Sequence, residues 1–183
     1  MLENIAQEIK QEKVSLFQNA LSDIFSWKEL EALLNLRPFI NAARFKTVKD
    51  TRFSWDNQSW LTDINTFPPL LLDSVINENL CYVIDCSRVN KKVNDICKQL
   101  ERIFDGGSAD AHIYFTCDEN SEDGFGIHWD TSHNLIVQIE GQTEFRGWNI
   151  KNYDNRFPNN LQQTPDISAV LNPGDVAFVP ANF

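Results

Sequence analysis

Apolar residues in the first part of the chain recur at helical spacing. Val14, Phe17, Leu21, Ile24 and Phe25 fall three or four positions apart between residues 11 and 36, with a break at Ser26, which predicts a helix ahead of that break. Ser26 followed by Glu29 is a capping box in front of Leu30, Leu33 and Leu34, so a second helix is expected there. Arg37-Pro38 should end it, because the proline ring disfavours helical backbone in the residue before it. Residues 39–69 are aromatic and irregular, with Phe45, Phe53, Trp55, Trp60 and Phe67 spread among polar side chains. They predict strands and loops wrapped around a core, with the rings used for packing. A short helix is expected at 70–76 and a compact strand at 80–84. Val93, Ile96, Cys97, Leu100, Ile103 and Phe104 then mark one face of the clearest helix in the chain, stopped by Gly106-Gly107.

Beyond that helix the period changes to two. Strands are expected at 111–117, at 135–140 with Leu135, Val137 and Ile139 on one face, and at 144–150 after a turn at Gly141. Pro173-Gly174-Asp175 is a tight turn feeding a last strand at 176–180. Helices first and short strands afterwards predict a helical and mixed layer, 1–110, packed on a β-sandwich or barrel, 111–183. No repeat, low-complexity tract or Gly/Ser linker divides the chain, so 1–183 is expected to be a single domain.

Charge and composition narrow the function. The 183 residues are 42% apolar, enough for one core without disulfides. A formal charge of −10 argues against broad electrostatic binding to nucleic acid or anionic membrane. No membrane-length apolar run occurs, and Met1-Leu2-Glu3-Asn4 lacks the basic and apolar regions of a signal peptide, so a cytoplasmic location is expected. Cys81, Cys86, Cys97 and Cys117 form no C-x-x-C pair and read as reduced core thiols. There is no G-x-S-x-G elbow, P-loop, dinucleotide glycine fingerprint or H-E-x-x-H.

The sharpest local feature is Gly124-Phe125-Gly126-Ile127-His128-Trp129-Asp130. On a strand, residues two apart face the same way, so His128 and Asp130 would present an imidazole and a carboxylate to one spot. That is two thirds of the 2-His-1-carboxylate set that holds Fe(II) with open positions. The surrounding order is also specific: Tyr114-Phe115-Thr116, the glycine-to-aspartate block, Val137-Gln138-Ile139-Glu140-Gly141, then Pro173-Gly174-Asp175 to Pro180. Over about seventy residues this resembles the cupin-type Fe(II)- and 2-oxoglutarate-dependent oxygenases of the JmjC class, most nearly the ribosomal oxygenase branch.

The resemblance implies a double-stranded β-helix, or jelly roll, with His128 and Asp130 as iron ligands. It also implies that Tyr114 hydrogen-bonds the 2-oxoglutarate cosubstrate and that Asn134 lines the pocket beside it; the competing reading of Tyr114 is a buried core tyrosine. Two departures stand out. The family's lysine or arginine fifteen residues after the metal histidine is Thr143 here, and a hydroxyl cannot balance a buried carboxylate. Arg146 should face away from Thr143 on a regular strand, leaving Arg44, Lys46 or Arg52 as other sources of charge. The second metal histidine would fall two residues beyond Phe183, so the sequence is expected to stop short of the jelly roll's last strand. His112 and His133 do not occupy that position; His133 is expected to play a structural or supporting role.

The reading that follows is a hydroxylase using Fe(II) and 2-oxoglutarate on a protein or small-molecule substrate. The acidic run 118–123, leading into the motif, would suit a basic protein. Two alternatives follow from Thr143 and the absent histidine. One is a cupin-like binding module with an incomplete metal site, and the other a metal-dependent cupin enzyme that does not use 2-oxoglutarate.

Overall fold

The structure is a computed structural model, and it describes residues 2–34, 44–49, 52–53, 80–84, 90–115, 128–149, 164–181 and 183. In chain order the elements are α1 (Leu2–Ile9), β1 (Ser15–Phe17), α2 (Trp27–Leu34), β2 (Arg44–Lys49), β3 (Arg52–Phe53), β4 (Leu80–Ile84), α3 (Lys91–Ile103), β5 (Ile113–Phe115), β6 (Asn134–Val137), β7 (Thr143–Gly147), β8 (Ile167–Leu171) and β9 (Val176–Val179). Every strand pairing among them is antiparallel. They gather into two compact units, one formed by 1–26 with 128–183 and the other by 27–127.

In the first unit β9 lies between β1 and β6. Its successive residues Val176, Ala177 and Phe178 are all buried, so both faces of this strand are covered and both are apolar. The β6–β9 ladder runs from Asn134 opposite Val179 to Val137 opposite Val176, and the β7–β8 ladder from Thr143 opposite Leu171 to Gly147 opposite Ile167. The two ladders meet at a corner, where Gly174 N–H donates to Gln138 O at 2.9 Å and Gln138 N–H to Asp175 O at 3.0 Å. The side-chain amide of Gln142 also donates to Asn172 Oδ1 at 2.8 Å. Five residues lie between Val137 and Thr143 but four between Leu171 and Val176, and the unequal lengths let the ribbon bend. A two-stranded ribbon turning such a corner is the unit from which a double-stranded β-helix is wound.

The Pro173-Gly174-Asp175 turn is the hub of this corner. Gly174 has φ +91°, and a Cβ there would lie 2.9 Å from Asn19 Oδ1. Its carbonyl accepts from Ala20 N–H at 2.8 Å and Leu21 N–H at 3.0 Å. The Asp175 carboxylate accepts from the backbone N–H of Asn19 at 2.8 Å and of Asn172 at 2.9 Å. Those two amides, Asn172 foremost, hold its carboxyl below the usual carboxylate range.

The helix expected across residues 11–25 does not form. Its central residues make β1, which pairs with β9, and Glu12, Asn19 and Asp23 take positive φ, which an α-helix cannot contain. The apolar spacing there serves strand pairing and turns, while the helix lies earlier, in α1, whose Ile5, Ala6 and Ile9 are buried.

In the second unit the sheet order is β3-β2-β4-β5. α2 begins directly after Ser26, as expected, and buries Leu30 and Leu33. Its Trp27 meets Phe115 of β5 edge to face, with ring centroids 5.8 Å apart. α3 begins at Asn90, whose side chain accepts from Val93 N–H at 3.1 Å and donates to Glu29 of α2 at 3.1 Å. Such a cap stabilises a helix by about 1 kcal/mol. The helix stops at Asp105 and Gly106, both with positive φ. Cys97 is a free, buried thiol that burial, with Asp110 and Glu101 nearby, pushes up in pKa, in keeping with a core role. The expected helix at 70–76, the stop at Arg37-Pro38, and Trp55, Trp60 and Phe67 lie outside the described residues. Among the described residues no helix is long and apolar enough to cross a membrane.

Candidate metal centre

The residues expected to hold metal, His128 and Asp130, lie at the far end of the β6–β9 ladder, away from the Gly174 corner. Residues 128–133 run irregularly into β6, so His128 and Asp130 are not on a strand and strand alternation is not what brings them together. Their side chains nonetheless converge, with His128 Nε2 3.9 Å from Asp130 Oδ2 and both about half exposed. What holds the carboxylate is Asn134, whose Nδ2 donates to Asp130 Oδ2 at 2.7 Å. Asn134 is the first residue of β6 and is fixed opposite Val179 by the ladder. The strand thus presents an amide that orients the carboxylate, a contact that sequence spacing did not reveal.

His133 is also tied to the ladder. Its Nδ1 accepts from Ala181 N–H at 3.1 Å, and its ring lies 5.8 Å from that of Phe178 at a tilt of 30°. This matches the supporting role expected of it and engages the nitrogen on that side of the ring.

Thr143 opens β7 opposite Leu171 and is exposed. Along β7 the half-buried Phe145 and buried Gly147 share the Thr143 face, whereas Glu144 and Arg146 face the other way and are exposed. The Arg146 guanidinium grips Glu144 through Nε and Nη2, each at 3.0 Å. Arg146 therefore does not supply a cation on the Thr143 face. Tyr114 sits at the centre of β5, opposite Tyr82 in the second unit, and is 56% exposed, which excludes a buried core tyrosine. His112 shares its face, with ring centroids 6.3 Å apart. Residues 118–127, including Gly124 to Ile127, lie outside the described residues.

Imidazole nitrogen and carboxylate oxygen are the right donors in kind for Fe(II). Donors each about 2.1 Å from one ion, on adjacent positions, lie about 3 Å apart, so a modest side-chain rotation brings His128 and Asp130 onto one cation. The residues present fit two protein positions of such a site. Among the described residues no group of three His, Cys, Asp or Glu side chains gathers to hold a metal.

An antiparallel ribbon that bends at a corner, with a His-x-Asp pair at the ladder's end, defines a class, and comparison with known proteins identifies it. The family model of the JmjC domain matches residues 84–183, more than half of the chain, and the chain belongs to that family. Its fold is that of solved structures of YcfD, a ribosomal oxygenase from Escherichia coli. The complex of that protein with cobalt and 2-oxoglutarate matches at TM-score 0.59 and 16% identity, covering 98% of this chain and 46% of the other. The complex with cobalt and succinic acid gives the same values. An X-ray structure of the same protein matches at TM-score 0.53 and 18% identity, covering 94% and 45%. The chain thus spans a little under half the length of these structures. No curated protein matches it.

Proposed function

We propose that this chain carries the metal-binding part of an Fe(II)- and 2-oxoglutarate-dependent hydroxylase. The observation that supports this most directly is the Asn134-held Asp130 carboxylate beside His128, at the end of a ladder in a JmjC fold. In this reading His128 and Asp130 bind the iron. Bound Fe(II) with 2-oxoglutarate would supply oxidative decarboxylation of the keto acid coupled to C–H hydroxylation. Asn134 holds Asp130 Oδ2, so that the carboxylate meets the ion already oriented. Tyr114 and Thr143 contribute hydroxyls to the cosubstrate, and the charge opposite its distal carboxylate comes from a residue other than Arg146. The reading takes 1–183 as one JmjC domain acting in the cytoplasm. A basic protein is the favoured substrate class, because a chain of charge −10 attracts a cationic partner, and the similar YcfD structures are of a ribosomal oxygenase.

One observation favours a second reading. Thr143 offers no charge, and Arg146 is committed to Glu144 on the opposite face, which suits a metal-dependent cupin enzyme that does not use 2-oxoglutarate. An anaerobic titration of the Fe(II)-loaded protein with 2-oxoglutarate, followed through the visible metal-to-ligand charge-transfer band, separates the two. A band that disappears in His128→Ala supports the first reading. Iron retention without a band favours the second.

A further inference from the structure

Three contacts meet where β6 and β9 end. Asn134, opposite Val179, holds Asp130; His133, one residue outside the ladder, holds the Ala181 amide; and the His133 ring rests against Phe178, which is 1% exposed. The metal loop 128–133 and the chain leaving β9 therefore share one hydrogen-bonded junction, although His133 and Ala181 are 48 positions apart in sequence. A second anchor follows immediately, since a Cβ on Gly147 would come within 2.8 Å of the Phe183 ring. The chain beyond β9 is thus held at Ala181 by an imidazole and at Phe183 by packing against β7.

Nδ1 of His133 accepts the Ala181 N–H, which requires that ring nitrogen to be unprotonated, with the proton on Nε2. In that tautomer His133 offers the loop side of the junction an acceptor for exactly one backbone donor. A phenylalanine would keep the ring contact with Phe178 but lose the acceptor. An asparagine would lose the ring but keep an acceptor the same number of bonds from Cα.

We propose that His133 is a positioning residue that couples metal capture by His128 and Asp130 to the path of the chain leaving β9. The inference rests on the metal-centre reading above. His133 does not touch the ion; it acts by fixing the loop that carries Asp130 against the Ala181 backbone. Ordering on one side of the junction then orders the other.

The test is an anaerobic titration of the protein with Co(II), followed by visible absorption, alongside amide hydrogen exchange at Ala181 and thermal unfolding. In the wild type, Co(II) should slow exchange at Ala181. His133→Phe should bind Co(II) about 10- to 100-fold more weakly, the range seen when a supporting partner of a metal ligand is lost. His133→Asn should stay within about threefold of the wild type. The proposal is overturned by a His133→Phe protein that binds Co(II) as the wild type does, by a His133→Asn protein as weak as His133→Phe, or by wild-type Ala181 exchange that ignores Co(II). The exchange measurement decides even where a variant does not fold. If the wild type binds no Co(II), or His128→Ala binds it equally well, the metal-centre reading fails and this inference with it. If wild-type binding is normal and lost in His128→Ala, but His133→Phe has no effect, only the coupling fails.

Discussion

The two ends of the β6–β9 ladder are built differently. At the Gly174 corner backbone groups take part in most contacts, glycine is buried at positive φ, and the Asp175 carboxylate accepts a backbone amide on each of its two oxygens. At the other end the contacts run through side chains: Asn134 to Asp130, His133 to Ala181, with His128 and Asp130 half exposed. A carboxylate tied to the backbone through both oxygens holds the fold and has less acceptor capacity left for a ligand. A carboxylate held by a single amide on one oxygen keeps acceptor capacity for an ion. The ladder thus joins a corner tied down by the backbone to an end whose half-exposed side chains form the proposed metal site, and substitutions at the two should separate cleanly.

The largest effect is expected at the corner. Gly174→Ala places a Cβ against Asn19 and forces alanine to φ +91°, which should cost about 2–3 kcal/mol in urea unfolding while leaving Co(II) affinity of the folded protein unchanged. Asn134→Ala should do the reverse. Metal affinity should fall about 10- to 100-fold, with a stability change of about 1 kcal/mol or less. Equal losses of stability in both variants would break the contrast.

A smaller effect is expected in acid. Because the amides of Asn172 and Asn19 depress the Asp175 carboxyl, the charged form is favoured in the folded chain. Its stabilisation is complete above the unfolded value of about 3.9 and is lost as pH falls through the lower, folded value. Thermal unfolding of Asp175→Asn should therefore show a shallower decline than the wild type below about pH 4. The smallest effect belongs to Arg146→Ala, which removes an exposed ion pair with Glu144. Stability should change by about 0.5 kcal/mol, and 2-oxoglutarate affinity should not change at all. A loss of cosubstrate binding there would show that the guanidinium reaches the Thr143 face after all.

Much of the contrast was legible in the sequence where a local signal and the tertiary demand agree. α3, β4, β9 and the Pro-Gly-Asp turn are written in apolar period and in residues whose backbone preferences admit few alternatives. The region 11–25 misled because its apolar residues satisfy helical spacing while β1 pairs with β9, more than 150 residues away, and three positive-φ residues end any helix there. The pairing of His128 with Asp130 was legible as a motif, but its physical basis was not. Strand alternation does not bring the two together; the Asn134 amide orients the carboxylate, and Asn134 is placed by a ladder partner 45 residues further on, Val179. His133 to Ala181 is likewise a contact of fold rather than of period, and no one-dimensional pattern announces it.

The central claim is that His128 and Asp130 form one metal site. Equilibrium uptake of Fe(II) under anaerobic conditions by the wild type, His128→Ala and Asp130→Ala, with thermal unfolding of each as a check on folding, tests it directly. The account predicts specific uptake by the wild type that is lost in both folded variants. Uptake that is unchanged in the two variants, or absent from the wild type, would contradict it.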